Sequence, residues 1–247
     1  MTDKVVAIIQ ARMGSSRLPG KVLMNICGKS VLHHIIDRVK QANLVDDIII
    51  ATTVLEQDQL IVDEADRCGV KVFRGSEENV LSRYYHAAKE TGATTVIRIT
   101  SDCPLIDPVI IDKMIGLYIS NGYNLMSNAG PDSSLRTFPR GLDAEVFSFL
   151  MLEEAYMKAN KSYQLEHVTP YLYENIDKIG YFIGEEDYSL YRWTLDTEED
   201  YHLIKQIYEN LYHGCHDFFL DKIITLMKQK PELHYINAHV EQKKLPT

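Results

Sequence analysis

Between residues 5 and 121, short apolar runs alternate with amphipathic stretches four times, and that rhythm restricts the chain to few architectures. Val5-Val6-Ala7-Ile8-Ile9 is continuously apolar, as in a strand buried on both faces. Ser30 then stands ahead of Val31, Leu32, Ile35, Ile36 and Val39, a capped segment with helical spacing. Asp47 to Thr52 reads as a second strand, and Gln59 to Cys68 as a helix stopped by Gly69. Val70 to Phe73 followed by Val80 to Glu90 repeats the pair, as does Thr95 to Thr100 followed by Val109 to Ile119. Strands separated by helices pair in parallel through right-handed crossovers. The expected fold class is α/β, a mostly parallel sheet flanked by helices.

Beyond about Asn121 the rhythm loosens. Asn128 to Gly141 is rich in Gly, Pro, Asp, Ser and Arg and reads as a long loop. Ala144 to Phe147, Ile179 to Ile183 and Arg192 to Leu195 read as further strands. Glu166 to Tyr173 reads as helical, with Pro170 marking a start or a kink. Thr197 opens a helix whose first turn carries Glu198, Glu199 and Asp200, where acids favour the helix dipole. A last helix is expected from about Asp217 to Lys228. With no repeat or long linker, the expected organisation is one domain over residues 1–247, elaborated irregularly at 122–190.

Composition excludes several classes. Apolar residues make up 45% and charged residues 25%, enough apolar surface for a core. Lys and Arg number 26 against 35 Asp and Glu, for a formal net charge of −9, which argues against a nucleic-acid partner. No run approaches the ~18–20 apolar residues of a membrane span. The start, Met1-Thr2-Asp3-Lys4 before a short apolar run, lacks the pattern of an export signal. Cys27, Cys68, Cys103 and Cys215 are scattered and form no CxxC pair, so a cytoplasmic protein with free thiols is expected.

Ligands of an open parallel sheet lie outside the carboxyl ends of its strands. The loop after the first strand sets Arg12, Arg17 and Lys21 among Gly14, Ser15, Ser16 and Gly20, a local charge of about +3. Small residues let backbone N–H groups approach phosphate oxygens, and the cations neutralise them. The spacing is not that of a P-loop, because five residues separate Gly14 from Gly20 and Val22 follows Lys21. No G-x-G-x-x-G is present. Asp102 ends the fourth strand, and Asp196 ends the expected strand from Arg192. Both positions suit a carboxylate that holds Mg²⁺ together with phosphate oxygens. Both also suit a turn or helix cap, Asp196 especially, since D-T-x-E is a capping pattern.

The segment Ile9-Gln10-Ala11-Arg12-Met13-Gly14-Ser15-Ser16-Arg17-Leu18-Pro19-Gly20-Lys21 resembles the [IV]-x-A-R-x-x-S-x-R-L-P-G-K signature of sugar cytidylyltransferases. The order of elements is similar to that of CMP-Kdo and CMP-acylneuraminate synthetases over nearly the whole chain. Ser101-Asp102-Cys103-Pro104 resembles their G-D-x-P turn, with Ser in place of Gly, and Asp196-Thr197-Glu198-Glu199-Asp200 resembles D-T-x-E-D. The resemblance implies a nucleotide-diphospho-sugar transferase-like, Rossmann-like fold. It implies a homodimer, with the mid-chain elaboration as the contact. It implies an enzyme that joins CTP to a nonulosonic or Kdo-like sugar acid, releasing pyrophosphate, for surface or spore-coat polysaccharide.

In that enzyme Arg12, Arg17, Lys21 and Asp102 carry catalysis, and Asp102 and Asp196 hold Mg²⁺. Ala11, Arg12, Gly14, Ser15, Ser16, Lys21, Thr100 and Ser101 line the nucleotide, Thr100 standing where CMP-Kdo synthetases carry Gln. Arg74, Asn79 and Arg83 are candidates for reading the base. Arg140, Asp143, Glu145, Glu166 and His167 are the sugar-site candidates, the last two in Leu165-Glu166-His167-Val168, which resembles an L-E-H-I segment. Two other readings stay open. A glycosyltransferase would carry D-x-D where this chain has Asp102-Cys103-Pro104, and a non-catalytic nucleotide-binding scaffold would not need the charged residues intact. His213-Gly214-Cys215-His216 has residue types of a transition-metal site, but a turn cluster is the simpler reading, and His33-His34 reads as a helix face.

Overall fold

The computed structural model describes residues 3–242. In chain order the strands are β1 (Val5–Gln10), β2 (Asn25–Ile26), β3 (Lys29–Ser30), β4 (Asp47–Thr53), β5 (Lys71–Gly75), β6 (Thr95–Thr100), β7 (Leu125–Ser127), β8 (Glu145–Ser148) and β9 (Ile179–Tyr181). The α-helices are α1 (Val31–Val39), α2 (Gln59–Arg67), α3 (Val80–Thr91), α4 (Pro108–Asn121), α5 (Phe149–Lys158), α6 (Ser162–His167), α7 (Pro170–Asn175), α8 (Glu198–Leu211) and α9 (Leu220–Gln229). Seven strands form one sheet in the order β5-β4-β1-β6-β8-β7-β9, and β2 and β3 form a separate hairpin. The β1, β4, β5 and β6 strands run parallel, as the sequence predicts. β8 lies antiparallel to both β6 and β7.

The apolar run of β1 is buried on both sides because the sheet is covered on both. Val5, Ala7 and Ile9 join a core with α1, α2, α4, α8 and α9, while Val6 and Ile8 join a second core with α3, α5 and α7. Ser30 caps α1, its hydroxyl oxygen accepting from the His33 N–H at 3.0 Å. Leu32, Ile35, Ile36 and Val39 are fully buried beneath that cap. Each such burial stabilises the fold by roughly 1.5–3 kcal/mol.

The structure corrects several expectations. Arg192 to Leu195 forms no strand, because its backbone bonds go to two different loops: Trp193 N–H donates to Arg140 O at 2.7 Å, and Leu195 N–H to Asp102 O at 2.8 Å. Gly141 permits this approach, with a φ of +101°, since a Cβ there would lie 2.5 Å from the Trp193 backbone. The helix expected over Glu166–Tyr173 is two helices, parted by a γ-turn at Val168. There φ is 72° and ψ −59°, and the Thr169 N–H donates to His167 O at 2.8 Å. A β-branched residue in that conformation stores about 1–3 kcal/mol of strain. The last helix starts at Leu220, not Asp217. The sequence reading also missed β7 and α5. Leu150 and Met157 blur the amphipathic pattern of α5 by facing solvent.

His34 is no exposed helix-face residue. It is fully buried and meets His216 at 2.8 Å through Nδ1 and Nε2. Ile26 O, 2.8 Å from His34 Nε2, can only accept, so that nitrogen carries the hydrogen and His216 Nε2–H donates to His34 Nδ1. Burial pushes His34 down to about 4 and His216 to about 3. The facing groups are Asp37, Lys29, His33, Arg38, Tyr208 and Tyr212; Asp37 opposes the shifts without reversing them. Both rings stay neutral in the fold, while in the unfolded chain they protonate near pH 6.5. The unfolded state thus binds more protons below about pH 6.5, and stability falls as pH drops from there towards 4. Urea unfolding between pH 7 and 4 will show that loss, and His216→Phe will flatten it. An equally steep profile in the variant would rule the pair out as its source.

Candidate active site

The carboxyl ends of β1 and β6 open into a cleft of about 420 Å³. The loop after β1 forms one wall. Gly20 closes that loop in the left-handed conformation, with its N–H donating to Met13 O at 3.1 Å. Met13 N–H in turn donates to Asp58 Oδ1 at 2.7 Å. Asp58 is fully buried and also accepts from the Thr53 hydroxyl, so the phosphate-type loop is tied down by an acid that its own sequence gives no sign of. Opposite the loop, Asp102 and Asp196 come together because the Asp102 backbone carbonyl accepts from both Leu195 N–H and the Thr194 hydroxyl.

Lys21 links the walls. Its side chain is 12% exposed, and Nζ lies 2.8 Å from Asp196 Oδ1 and 3.6 Å from Asp102 Oδ2. It also donates to Leu195 O at 2.7 Å. Burial alone would lower the Lys21 pKa, but Asp102 and Asp196 outweigh it and hold the ammonium above its ordinary range. Asp196 shows the counterpart: burial would raise it, and Lys21, Arg17 and Arg192 together hold it below the usual carboxylate range. Arg17 reaches Asp196 Oδ2 at 2.9 Å and Arg192 reaches the same oxygen at 3.0 Å. Arg192 is itself braced by the fully buried Asp200 at 2.9 Å, which Asn237 also contacts. Arg12 stands further out, 3.7 Å from Glu77, in a half-exposed pair worth little by itself.

Arg83, on α3, is the least expected member. It is 2% exposed and lines the cleft, yet its Nε and Nη1 have no hydrogen-bond partner among the described residues. Gln10 Oε1, also lining the cleft, is likewise buried with no partner among the described residues. Burial depresses the Arg83 pKa. A buried guanidinium left so is costly unless something arrives to bond it.

Of the residues singled out in the sequence, Ala11, Arg12, Gly14, Ser15, Ser16, Arg17, Lys21, Arg83, Thr100, Ser101, Asp102, Glu166, His167 and Asp196 line this cleft. Others are placed elsewhere. The Arg74 guanidinium bonds Thr53 O, Leu55 O and Gln59 Oε1, which holds the β4–α2 loop instead of facing a base. Asn79 caps α3, accepting from Ser82 N–H at 2.8 Å. Glu145 is buried and accepts from Arg98 at 2.7 Å, Tyr173 at 2.7 Å and Thr169 at 3.1 Å, so its oxygens are taken. Asp143 is gripped by both Arg136 Nη atoms, at 2.6 and 3.0 Å. Arg140 lines a separate hollow of about 130 Å³ beside Tyr191 and Arg192.

Of the His213–His216 cluster, His216 turns inward to His34, and among the described residues no group of metal-ligand side chains gathers around His213. The described residues do gather His33, Glu64 and Cys68 at ligand-like distances. Glu64 there already serves Ser30, His33 and Arg67, and burial pushes the Cys68 thiol up to about 11.

Residues 6–244 match the profile of the cytidylyltransferase family. The spore coat polysaccharide biosynthesis protein SpsF of Bacillus subtilis is 33% identical over 241 residues, covering 93% of this chain and 96% of its own. A 3-deoxy-manno-octulosonate cytidylyltransferase of Trichlorobacter lovleyi is 33% identical over 120 residues, 48% of this chain and 46% of its own. Among solved structures, a cytidylyltransferase from Leptospira borgpetersenii superposes with a TM-score of 0.88 at 33% identity, covering 98% of this chain and all of its own.

Proposed function

Because the chain belongs to the cytidylyltransferase family and is a nucleotidyltransferase, we propose that it joins CTP to a sugar acid of the nonulosonic or Kdo-like kind, releasing pyrophosphate. The product would be a CMP-sugar for surface or spore-coat polysaccharide. One observation carries the reading: Lys21 sits within 2.8 and 3.6 Å of Asp196 and Asp102, joining a phosphate-type loop to two carboxylates.

The sugar hydroxyl oxygen attacks the α-phosphorus. Its bond forms as the bond from α-phosphorus to the bridging β-phosphate oxygen breaks, and the hydroxyl proton leaves to solvent. Such transfer relies on positioning and charge neutralisation. Arg12, Arg17 and Lys21 cradle the phosphates and stabilise charge on the departing pyrophosphate. Arg83 and Gln10 offer buried donors and an acceptor to the nucleotide. Glu166 and His167, presented by the Val168 turn, face the sugar end. Glu145 acts behind them as a positioning residue through Thr169 and Tyr173.

The donor set suits Mg²⁺: Asp102 and Asp196 are hard oxygen ligands at one cleft, the number a phosphate-bound Mg²⁺ takes from protein. Among the described residues the cation paired with Asp102 is Lys21, its Nζ 3.6 Å from Oδ2. When bound, the ion would neutralise phosphate charge and acidify the attacking hydroxyl. Asp102→Asn is expected to raise the Mg²⁺ concentration for half-maximal turnover at least about tenfold. An unchanged Mg²⁺ dependence would remove Asp102 from that role.

We further place the reaction in the cytoplasm and the chain in a homodimer, with residues 122–190 at the contact. Exposed Leu150 and Met157 share one face of α5 there. Among the described residues no helix is long and apolar enough to cross a membrane. The decisive assay measures pyrophosphate release from four nucleoside triphosphates against a panel of sugar acids. Release confined to CTP plus one sugar acid is the expected result. A nucleoside diphosphate as product would favour a glycosyltransferase, and CTP binding without turnover across the panel a scaffold.

A further inference from the structure

Both oxygens of Asp196 are engaged by cations: Oδ1 by Lys21 at 2.8 Å, Oδ2 by Arg17 at 2.9 Å and by Arg192 at 3.0 Å. The three cations are not equivalent. Arg192 is buried and doubly bonded to Asp200 through Nε and Nη2, each at 2.9 Å, so it is fixed. Arg17 is an exposed-loop side chain, 35% accessible, and among the described residues Asp196 is the acid paired with it. Lys21 has three N–H donors, and its bond to Leu195 O anchors it while the others redirect. A divalent cation arriving first would meet carboxylates already neutralised, with Arg17 and Lys21 close enough to repel it. A triphosphate arriving first offers those two cations stronger partners, since its oxygens carry more negative charge than one carboxylate.

We propose that Arg17 and Lys21 are transferable counter-ions, paired with Asp196 and Asp102 until phosphate oxygens take them over, and that this exchange opens the carboxylates to a divalent cation. Arg192, clamped by Asp200, keeps Asp196 in place while its other partners leave. The proposal rests on the reading of the cleft as a triphosphate site only for the identity of the incoming anion. It makes metal and nucleotide binding mutually reinforcing, because each raises the other's affinity by the same factor.

The test needs neither nucleotide nor turnover. Mn²⁺ is titrated into nucleotide-free protein, and the free ion is followed by its electron paramagnetic resonance signal. Wild type should leave most Mn²⁺ free. Arg17→Gln, at a half-exposed position that does not threaten folding, and Lys21→Met should each tighten Mn²⁺ binding at least about tenfold, within the usual range of such couplings. Adding Asp196→Asn to Lys21→Met should abolish the gain. Equal Mn²⁺ binding by wild type and both variants would overturn the exchange. A chain with no cytidylyl transfer at all would still give the expected pattern, so the two readings fail separately.

Discussion

Lys21→Met is expected to reduce pyrophosphate release by about 10²–10³-fold or more, with the thermal melt preserved. The ammonium is held between Asp102 and Asp196 on one side and the loop of Arg12 and Arg17 on the other. Among the described residues no other cation pairs with both carboxylates. Methionine keeps the length of the stem and removes the charge, and the apolar stem is already mostly buried. Stability should therefore move little, since Asp196 keeps Arg17 and Arg192. Pyrophosphate release measured at saturating nucleotide, alongside a melting curve, separates lost chemistry from lost fold. Wild-type turnover in Lys21→Met would end the role assigned to the loop.

Arg83→Met is expected to move stability and binding in opposite directions. Arg83 Nε and Nη1 are buried with no partner among the described residues, a loss of roughly 1–3 kcal/mol per polar group. Replacing them with an apolar side chain of similar length should raise the melting temperature by a few degrees, about 2–4 °C per kcal/mol for a chain of this size. The same change removes the donors that face the cleft, so nucleotide affinity should fall about 100-fold, or about 2.7 kcal/mol. Calorimetry with CTP and a melting curve on one preparation check both halves. Unaltered CTP affinity would show that the guanidinium serves packing only. A site that keeps a destabilising group because binding needs it is a recognised trade between stability and activity.

The first half of the fold was legible because its signals are local. Ser30 caps α1, Gly92 ends α3, and the apolar run of β1 is buried on both faces, all as the spacing predicts. The second half was less legible. β7 is three residues long and α5 turns Leu150 and Met157 outward, so neither shows the periodicity that marks an element. Arg192–Leu195 has the composition of a strand but bonds to two loops in place of a neighbour. The site divides the same way. The loop cations and Asp102 were legible from their position after strands. Asp58 was not, because its partner Met13 lies far along the chain, and the brace of Asp200 on Arg192 was not, because Asp200 reads in sequence only as a helix-cap residue.

What the sequence determined by itself was the alternation of strands and helices, and with it the edge at which a ligand must sit. It also set three cations and two acids at that edge within a chain of net charge −9. What only the tertiary structure decided was which charges meet. Arg74 and Arg83 lie nine positions apart on adjoining elements, and sequence treats them alike as base-reading candidates. Folding turns the first onto carbonyls of its own loop and leaves two guanidinium nitrogens of the second buried at the cleft with no hydrogen-bond partner among the described residues. The physical reason is range. Helix and strand periodicity arises from neighbours a few residues away, whereas a side chain's partners are set by crossovers that bring segments such as 21 and 196 into contact.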